Sequence, residues 1–418
     1  MLSFDLIHHQ PEHIMQEFKI NNYITLKLES KKTNIYVKGE LFEQCKFLLL
    51  NIPEQDIDSY EEIESIDEIA EKLGWTEERQ LGVDYELTPE TEFFGHCSNL
   101  QAWVENNYDT RLLHRNLAFS LLKKLVDVGD LTAKKVFKEE ISKRLASGVP
   151  SVINYLTEGG YDNYLSREEY LFSFLKIRDA EALLDLERVM GCPFQIKNDL
   201  DDFRDADECD RIEVKFKNII GITLSGKELT EDIINSLKKL KSLRKLHLYA
   251  ARLKMFRELL PSVRKLNDLR IFCDEINEIP KSIDMLTNLE ILIITGIRSK
   301  NVPNSIWNLK SLRSLSLGGS SIMGRALQSI SSSIENLKSL KNLSLRGNKL
   351  TALPESIRKL GSLESLDLGR NPLKELAETI KDLHSLKILF LDKDQAEEKK
   401  NKQIIDFLRK KGVKVIRI

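Results

Sequence analysis

The chain has 418 residues, of which 41% are hydrophobic and 31% are charged, a composition typical of globular proteins with two or more domains. No apolar run approaches 18 residues, and the N-terminus lacks the basic flank and apolar core of a signal peptide, so we expect neither a membrane span nor secretion. The five cysteines form no CxxC pair, which favours reduced thiols and a cytoplasmic location.

The two halves of the chain carry opposite net charge. Residues 1–210 hold 23 Lys and Arg against 42 Asp and Glu, a net charge of −19. Residues 211–418 hold 40 basic and 23 acidic residues, a net charge of +17. This asymmetry predicts a domain boundary near residue 210. It also predicts that the halves attract each other or recruit partners of opposite charge.

The first fifty residues are predicted to form a β-hairpin and a helix. In YITLKLESKKTNIYVKG, residues 23–39, apolar and polar residues alternate on both sides of a Lys-Lys turn, as in paired strands with one buried face. A helix is expected over residues 41–50. Residues 1–50 are therefore treated as one subregion of an N-terminal domain.

Residues 51–190 are predicted to be mainly helical. An acidic surface stretch, EQDIDSYEEIESIDEIAEKLG, comes first, with a helix in its second part. In residues 111–130 leucines recur every three or four residues, and Asp130 is placed to cap a second amphipathic helix. The Gly129–Asp130 turn between these helices resembles the turn of a HEAT-type helical pair. The acidic residues 191–210 are interpreted as a linker.

No catalytic, cofactor or metal site is predicted in this half. Cys97 would need a histidine base to act as a nucleophile, and the adjacent His96 points about 100° away on a helix, which leaves His114. The acidic run 198–210 lacks the glycine and closing glutamate of a calcium loop. No GxxxxGK[ST], GxGxxG, HExxH or GxSxG motif occurs. Structural hydrogen bonding is the favoured role of the polar residues 90–116.

The second half repeats the pattern LxxLxLxxNxL eight times. The clearest copy is LKNLSLRGNKLTALPESIRKL, residues 340–360. The eight copies begin at Ile219, Leu243, Leu266, Leu289, Leu312, Leu340, Leu363 and Leu386. The successive spacings are 24, 23, 23, 23, 28, 23 and 23 residues. This resembles the leucine-rich repeat family, in particular the 23-residue class with an LPxxIxxL second half found in intracellular, Ras-group proteins.

The resemblance implies an α/β solenoid with a parallel β-sheet on its concave face, preceded by the mostly α-helical, α+β N-terminal domain. Residues 211–394 would hold the eight repeats and an N-terminal cap strand, and residues 395–418 a C-terminal cap. The longer fifth repeat is expected to add convex helix or a protruding contact. Residues 90–116 also resemble a helical module that precedes such repeats in archaeal proteins of unassigned function.

Strand positions three, five and seven face outward in this arrangement and form the concave surface. A cluster of aromatic, aliphatic and basic side chains on three adjacent strands indicates protein contact. The predicted partner-binding residues are Lys245, His247, Tyr249, Asp268, Arg270, Phe272, Ile291, Ile293 and Arg346. The alternative is that the N-terminal domain covers this face. Two further apolar residues, Ile388 and Phe390, are expected to pack under the C-terminal cap.

The chain is therefore predicted to be a non-enzymatic interaction protein. The resemblance implies a protein partner, with a small GTPase or a signalling protein as the class to test. Two alternatives stay open: binding of an anion or nucleic acid by the basic half, and enzyme activity around Cys97. Nucleic acid is the weaker idea, because few aromatic residues interleave with the basic ones.

Overall fold

The computed structural model describes residues 16–43, 88–113, 115–197, 200, 210–226, 228–249, 255–319 and 326–417. The chain divides into two compact units, residues 1–173 and 174–418.

The first unit opens with a four-stranded antiparallel meander. Its strands are β1 (Gln16–Lys19), β2 (Ile24–Glu29), β3 (Lys32–Val37) and β4 (Glu40–Leu41). Leu26 pairs with Ile35, and both are buried. Ser30 and Lys31 have φ of 50° and 63°, the left-handed pair that a two-residue hairpin turn requires. The predicted hairpin is confirmed, whereas most of the predicted helix 41–50 lies outside the described residues.

The remaining described elements of this unit are helices. They are α1 (Pro89–Glu105), α2 (Arg115–Asp127), α3 (Leu131–Ala146), α4 (Pro150–Glu158) and α5 (Arg167–Phe174). Gly129, at φ 93°, reverses the chain between α2 and α3. The Asp130 carboxylate then accepts hydrogen bonds from the amides of Thr132 and Ala133 at 2.9 and 3.0 Å. The predicted helical pair and its cap are confirmed.

The second unit is built on one sheet whose described strands follow chain order. They are β5 (Gln195–Lys197), β6 (Arg211–Lys215), β7 (Asn218–Ser225), β8 (Lys245–Tyr249), β9 (Asp268–Ile276), β10 (Ile291–Ile297), β11 (Ser314–Gly319), β12 (Asn342–Ser344), β13 (Ser365–Asp367), β14 (Ile388–Leu391) and β15 (Lys414–Arg417). Neighbouring strands are parallel, except that β6 and β7 are antiparallel. Sequential parallel pairing is the signature of a solenoid, because each repeat stacks on the one before it.

The repeat pattern explains which side chains enter the core. Successive residues of a strand point to opposite faces, so the fourth and sixth positions of each repeat face inward together. In β10 these are Leu292 and Ile294, which are fully buried, and in β11 Leu315 and Leu317 take the same places. The pairs stack in register along the sheet and form a continuous apolar core.

The convex side consists of short helices. The early repeats use α7 (Glu231–Lys239) and α8 (Phe256–Leu259), and five later repeats use 3₁₀ helices at Lys281–Met285, Asn304–Asn308, Ser332–Asn336, Glu355–Lys359 and Glu378–Asp382. A single isoleucine from each 3₁₀ turn is buried, such as Ile283 and Ile357. A 3₁₀ turn suits the short LPxxIxxL half, because it rises about 2 Å per residue.

The caps are larger than the sequence indicated. The helix α6 (Ile177–Met190) and strand β5 belong to the second unit, although residues 191–210 were interpreted as a linker. Phe194 is buried, and the Gln195 amide donates to the Asp210 carbonyl at 2.9 Å, which fixes β5 beside the predicted cap strand β6. At the other end, α9 (Lys393–Glu397), α10 (Lys399–Lys410) and β15 form the expected cap.

Replacing Gly319 with alanine is expected to destabilise the second unit by about 2 kcal/mol. A Cβ there would overlap the Gly347 carbonyl and come within 2.7 Å of the Ala326 Cβ. The matched control is Gly361→Ala, whose Cβ would meet nothing within 4 Å. Urea unfolding should separate the two variants; equal midpoints would show that β11 and β12 can shift apart without cost.

Candidate functional site

Four side chains on three adjacent strands form an apolar surface on the concave face, here called the aromatic-aliphatic patch: Tyr249, Phe272, Ile291 and Ile293. Tyr249 of β8 pairs with Phe272 of β9, and their rings stack with centroids 4.7 Å apart at 11°. Ile291 and Ile293 follow on β10, and all four are half-buried. Phe272 lies opposite Thr295, and Ile293 lies opposite Arg270, so Ile293 is the diagonal neighbour of Phe272 on the next strand, which lies about 4.8 Å away. The structure therefore brings together the apolar residues that the sequence singled out.

Three polar residues predicted on the same surface are buried. His247, Asp268 and Arg270 are 0%, 3% and 7% exposed. Asp268 and Arg270 lie two residues apart on one face of β9, so the guanidinium folds back onto the carboxylate with hydrogen bonds of 3.0 and 2.8 Å. His247 lies across the strand, its Nε2 3.6 Å from the Asp268 Oδ2. These side chains support the surface and offer little area to a partner.

The Asp268 carboxyl is held ionised by its neighbours. Burial alone would raise its pKa, but the His247 ring and the Arg270 guanidinium favour the charged form and lower the pKa below its ordinary value. A buried carboxylate with a bidentate arginine partner is stable only as a pair. Asp268 thus fixes the conformation of Arg270 between Phe272 and Ile293.

Replacing Asp268 with asparagine is expected to destabilise the second unit by about 3 kcal/mol, because the Arg270 charge loses its carboxylate. The pKa of Asp268 is lowered on folding, so its contribution is present above the unfolded pKa of about 4 and is lost as the pH falls further. The stability difference between the unchanged chain and Asp268→Asn should therefore shrink between pH 5 and pH 3 in urea titrations. The control is Glu290→Gln, an exposed partner of Arg313, with little expected effect at any pH.

The two other predicted contact residues lie beside the patch. The Lys245 Nζ is 3.0 Å from the Glu213 Oε2, so this lysine is paired within the array. Arg346 follows β12, two strands beyond β10, and is half-buried. Their assignment to partner binding stays a prediction.

A second apolar surface lies on the concave face at the end of the array, here called the terminal patch: Ile388, Phe390 and Ile416. On β14 the alternate residues Leu389 and Leu391 enter the core, so Ile388 and Phe390 face the concave side and are half-buried. Strand β15 pairs Ile416 with Phe390. The cap helix α10 instead packs on the convex side, against the Glu378–Asp382 turn. Ile388 and Phe390 were expected to pack under the C-terminal cap, and they lie beside its closing strand β15. Ile416 was missed because only the strand register reveals it.

The strands between the two patches carry polar side chains on the concave face. Ser314 and Ser316 occupy the outward positions of β11, Asn342 and Ser344 those of β12, and Ser365 and Asp367 those of β13. The concave face thus changes from apolar to polar and back to apolar along the array.

The possible nucleophile of the first unit is unsuited to that role. Cys97 is buried, and burial raises the pKa of its thiol to about 11. The neighbouring His96 is also buried, with its Nε2 3.2 Å from Glu92. His114 lies outside the described residues. A thiol of this kind is protonated at neutral pH and is a poor nucleophile.

Two other kinds of site are absent from the part of the chain that the structure describes. No helix there is long and apolar enough to cross a membrane. No group of His, Cys, Asp or Glu side chains there could hold a metal ion.

Comparison with known proteins identifies the repeats. Residues 325–373 and 338–395 match the model of the leucine rich repeat family. The second unit is a leucine-rich repeat domain. The fold of this domain agrees, since parallel strands and short convex helices alternate over successive repeats. Leucine-rich repeat domains generally act as protein–protein interaction modules and not as enzymes.

Two solved structures are similar to part of this chain. One is a leucine-rich repeat protein of Leptospira interrogans, at 28% identity, covering 40% of this chain and 42% of that chain with a TM-score of 0.35. Another is the Toll–Spatzle complex of Drosophila, at 20% identity, covering 43% and 28% with a TM-score of 0.34. The chain thus spans less than half the length of these proteins. No curated protein matches it. The archaeal resemblance of residues 90–116 stays a prediction.

Proposed function

We propose that this chain is a non-enzymatic interaction protein of the cytoplasm, whose leucine-rich repeat domain binds a protein partner on its concave face. The aromatic-aliphatic patch is the observation that carries the proposal. Stacked aromatic rings, isoleucines and a buried arginine meet on rigid strands, which is the composition of interaction hot spots. Apolar side chains left half-exposed together on a soluble domain usually mark a contact surface.

The class of partner follows by analogy with similar 23-residue repeat arrays. A small GTPase or another signalling protein is the first class to test, and a scaffolding role in signalling would follow from binding without catalysis. The fold itself does not decide this, because one scaffold supports many functions.

Photo-cross-linking from two faces of the domain tests the proposal. A photoreactive residue at Thr295 adjoins the patch, because Thr295 pairs with Phe272. The control position is Lys310, which is exposed in the turn before β11. We expect Thr295 to yield a discrete adduct with another protein in native extract, and Lys310 to yield none. Equal labelling from both positions would contradict the proposal.

Docking of the acidic N-terminal half on the basic array is the first alternative, favoured by the net charges of −19 and +17. In that case the Thr295 adduct would be intramolecular, with a peptide from the first 210 residues. Mass spectrometry of the purified chain distinguishes this outcome from partner capture.

Nucleic-acid binding by the basic array is the second alternative. Its affinity should fall steeply between 50 and 200 mM salt, since each phosphate contact releases a counterion. Fluorescence anisotropy with a labelled single-stranded RNA of 20 nucleotides tests it. No binding at 50 mM salt would remove this alternative.

A further inference from the structure

The charges along the two edges of the concave sheet are arranged differently. At the amino-terminal edge, the residues before β10 to β14 form ion pairs with an adjacent repeat. Arg313 lies 3.3 Å from Glu290, while Glu364 receives Lys341 at 3.1 Å and Lys387 at 2.5 Å. Opposite charges on adjacent repeats therefore balance one another along this edge.

The carboxyl-terminal edge carries five cations that form no ion pair within the described residues, here called the basic rim: Lys300, Arg346, Lys349, Arg370 and Lys374. They follow β10, β12 and β13. The nearby carboxylates of Asp367 and Asp392 accept hydrogen bonds from the backbone amides of Gly369 and Arg370. The five cations outnumber these two carboxylates by three, and an excess of positive charge along one edge attracts an acidic partner.

The two apolar patches set the length of that partner. The aromatic-aliphatic patch ends on β10 and the terminal patch begins on β14, four strand steps away, so they lie about 19 Å apart. The outward positions on the strands between them hold only polar side chains, and an α-helix that lies across them is about 10 Å wide. An α-helix rises 1.5 Å per residue, so two apolar side chains on one face would reach both patches from about 11 to 14 residues apart.

We propose that the concave face binds an acidic amphipathic α-helix of a partner protein. Its two apolar anchors occupy the aromatic-aliphatic patch and the terminal patch, and its carboxylates lie along the basic rim. This inference rests on the proposed function and adds to it the chemistry and length of the partner segment. Rim charges of this kind steer association and select the partner.

Selection from a displayed library of random 20-residue peptides on the full chain tests the inference. We expect the enriched peptides to be strongly acidic and to carry two apolar residues 11 to 14 positions apart. Enriched peptides that are neutral or basic would overturn it. Peptides with only one apolar anchor would also overturn it, as would peptides whose anchors lie about six positions apart, the spacing of an extended strand. A selection that enriches no peptide would overturn it as well.

Charge reversal identifies the edge that the peptides use. The triple variant Lys300→Glu, Lys349→Glu, Arg370→Glu should weaken the enriched peptides at least about tenfold, or about 1.4 kcal/mol. The matched control reverses three exposed lysines in the turns before the strands, Lys310→Glu, Lys338→Glu and Lys359→Glu. Equal losses in both triples would show a general charge effect and overturn the inference.

Two further variants separate failure of this inference from failure of the proposed function. Phe390→Asp, in the terminal patch, should also weaken the peptides about tenfold, and unchanged affinity would overturn the two-anchor arrangement. Peptides that bind Ile293→Asp as well as the unchanged chain would remove the proposed function too. Suppose instead that the peptides lose affinity only for Ile293→Asp and bind the triple rim variant and Phe390→Asp as well as the unchanged chain. That result would support the proposed function and overturn this inference.

Discussion

Replacing Asn371 with alanine is expected to destabilise the leucine-rich repeat domain by about 3 kcal/mol. The buried Asn371 amide donates hydrogen bonds to the carbonyls of Leu345, Leu368 and Gly369 at 2.8, 2.9 and 3.2 Å. Its Oδ1 accepts from the Leu350 amide at 3.2 Å. Each buried backbone group left without a partner costs about 1–3 kcal/mol. Because the Asn371 side chain hydrogen-bonds to backbone groups of two adjacent repeats, its removal leaves several such groups unpaired.

Urea unfolding measures the change, and hydrogen exchange at the Leu350 amide locates it. The matched control is Asn342→Ala, an exposed asparagine on β12, for which a change below about 0.5 kcal/mol is expected. Slow exchange at Leu350 in Asn371→Ala, or equal effects of the two variants, would contradict the role assigned to Asn371.

Replacing Ile293 with aspartate is expected to weaken partner binding at least about thirtyfold, the effect of a 2 kcal/mol hot spot. Ile293 lies at the centre of the concave strands, between Arg270 on β9 and Ser316 on β11. A partner that desolvates this position would have to bury an unpaired carboxylate in Ile293→Asp. The same carboxylate stays hydrated in the free chain, because the position is half-exposed.

Ser316→Asp is the matched control for Ile293→Asp. Ser316 occupies the same position on the next strand, outside both apolar patches. It introduces the same charge about 4.8 Å away, so a much smaller loss of affinity is expected. Equal losses would indicate that any negative charge on this face prevents binding, and would contradict a hot spot at Ile293.

The repeat architecture could be predicted from the sequence because its signal is periodic. Leucines at fixed positions of a 23-residue unit can be buried only by stacking, which determines the sheet, its register and its concave face. The consensus asparagine of the repeat falls at Asn348 and Asn371, whose side-chain amides donate to the Leu345 and Leu368 carbonyls. The stacked pair of Tyr249 and Phe272 followed directly from the register.

Contacts that depend on side-chain conformation or on non-repeating segments could not be predicted. Strand β5 has no repeat signature, and its position depends on backbone pairing with β6. Asp268 and Arg270 alternate like exposed residues, yet their mutual hydrogen bonds bury both. Ile416 joins the terminal patch only because β15 pairs with β14 in one register.

The most direct test of the central claim measures partner affinity and the urea midpoint on the same preparation of Ile293→Asp. If the concave face is the binding surface, affinity for the cross-linked partner falls at least about thirtyfold while the free energy of unfolding changes by less than about 1 kcal/mol. Undiminished affinity would contradict the claim. A loss of binding that accompanies unfolding would also contradict it, since Ile293 would then belong to the core and not to a surface.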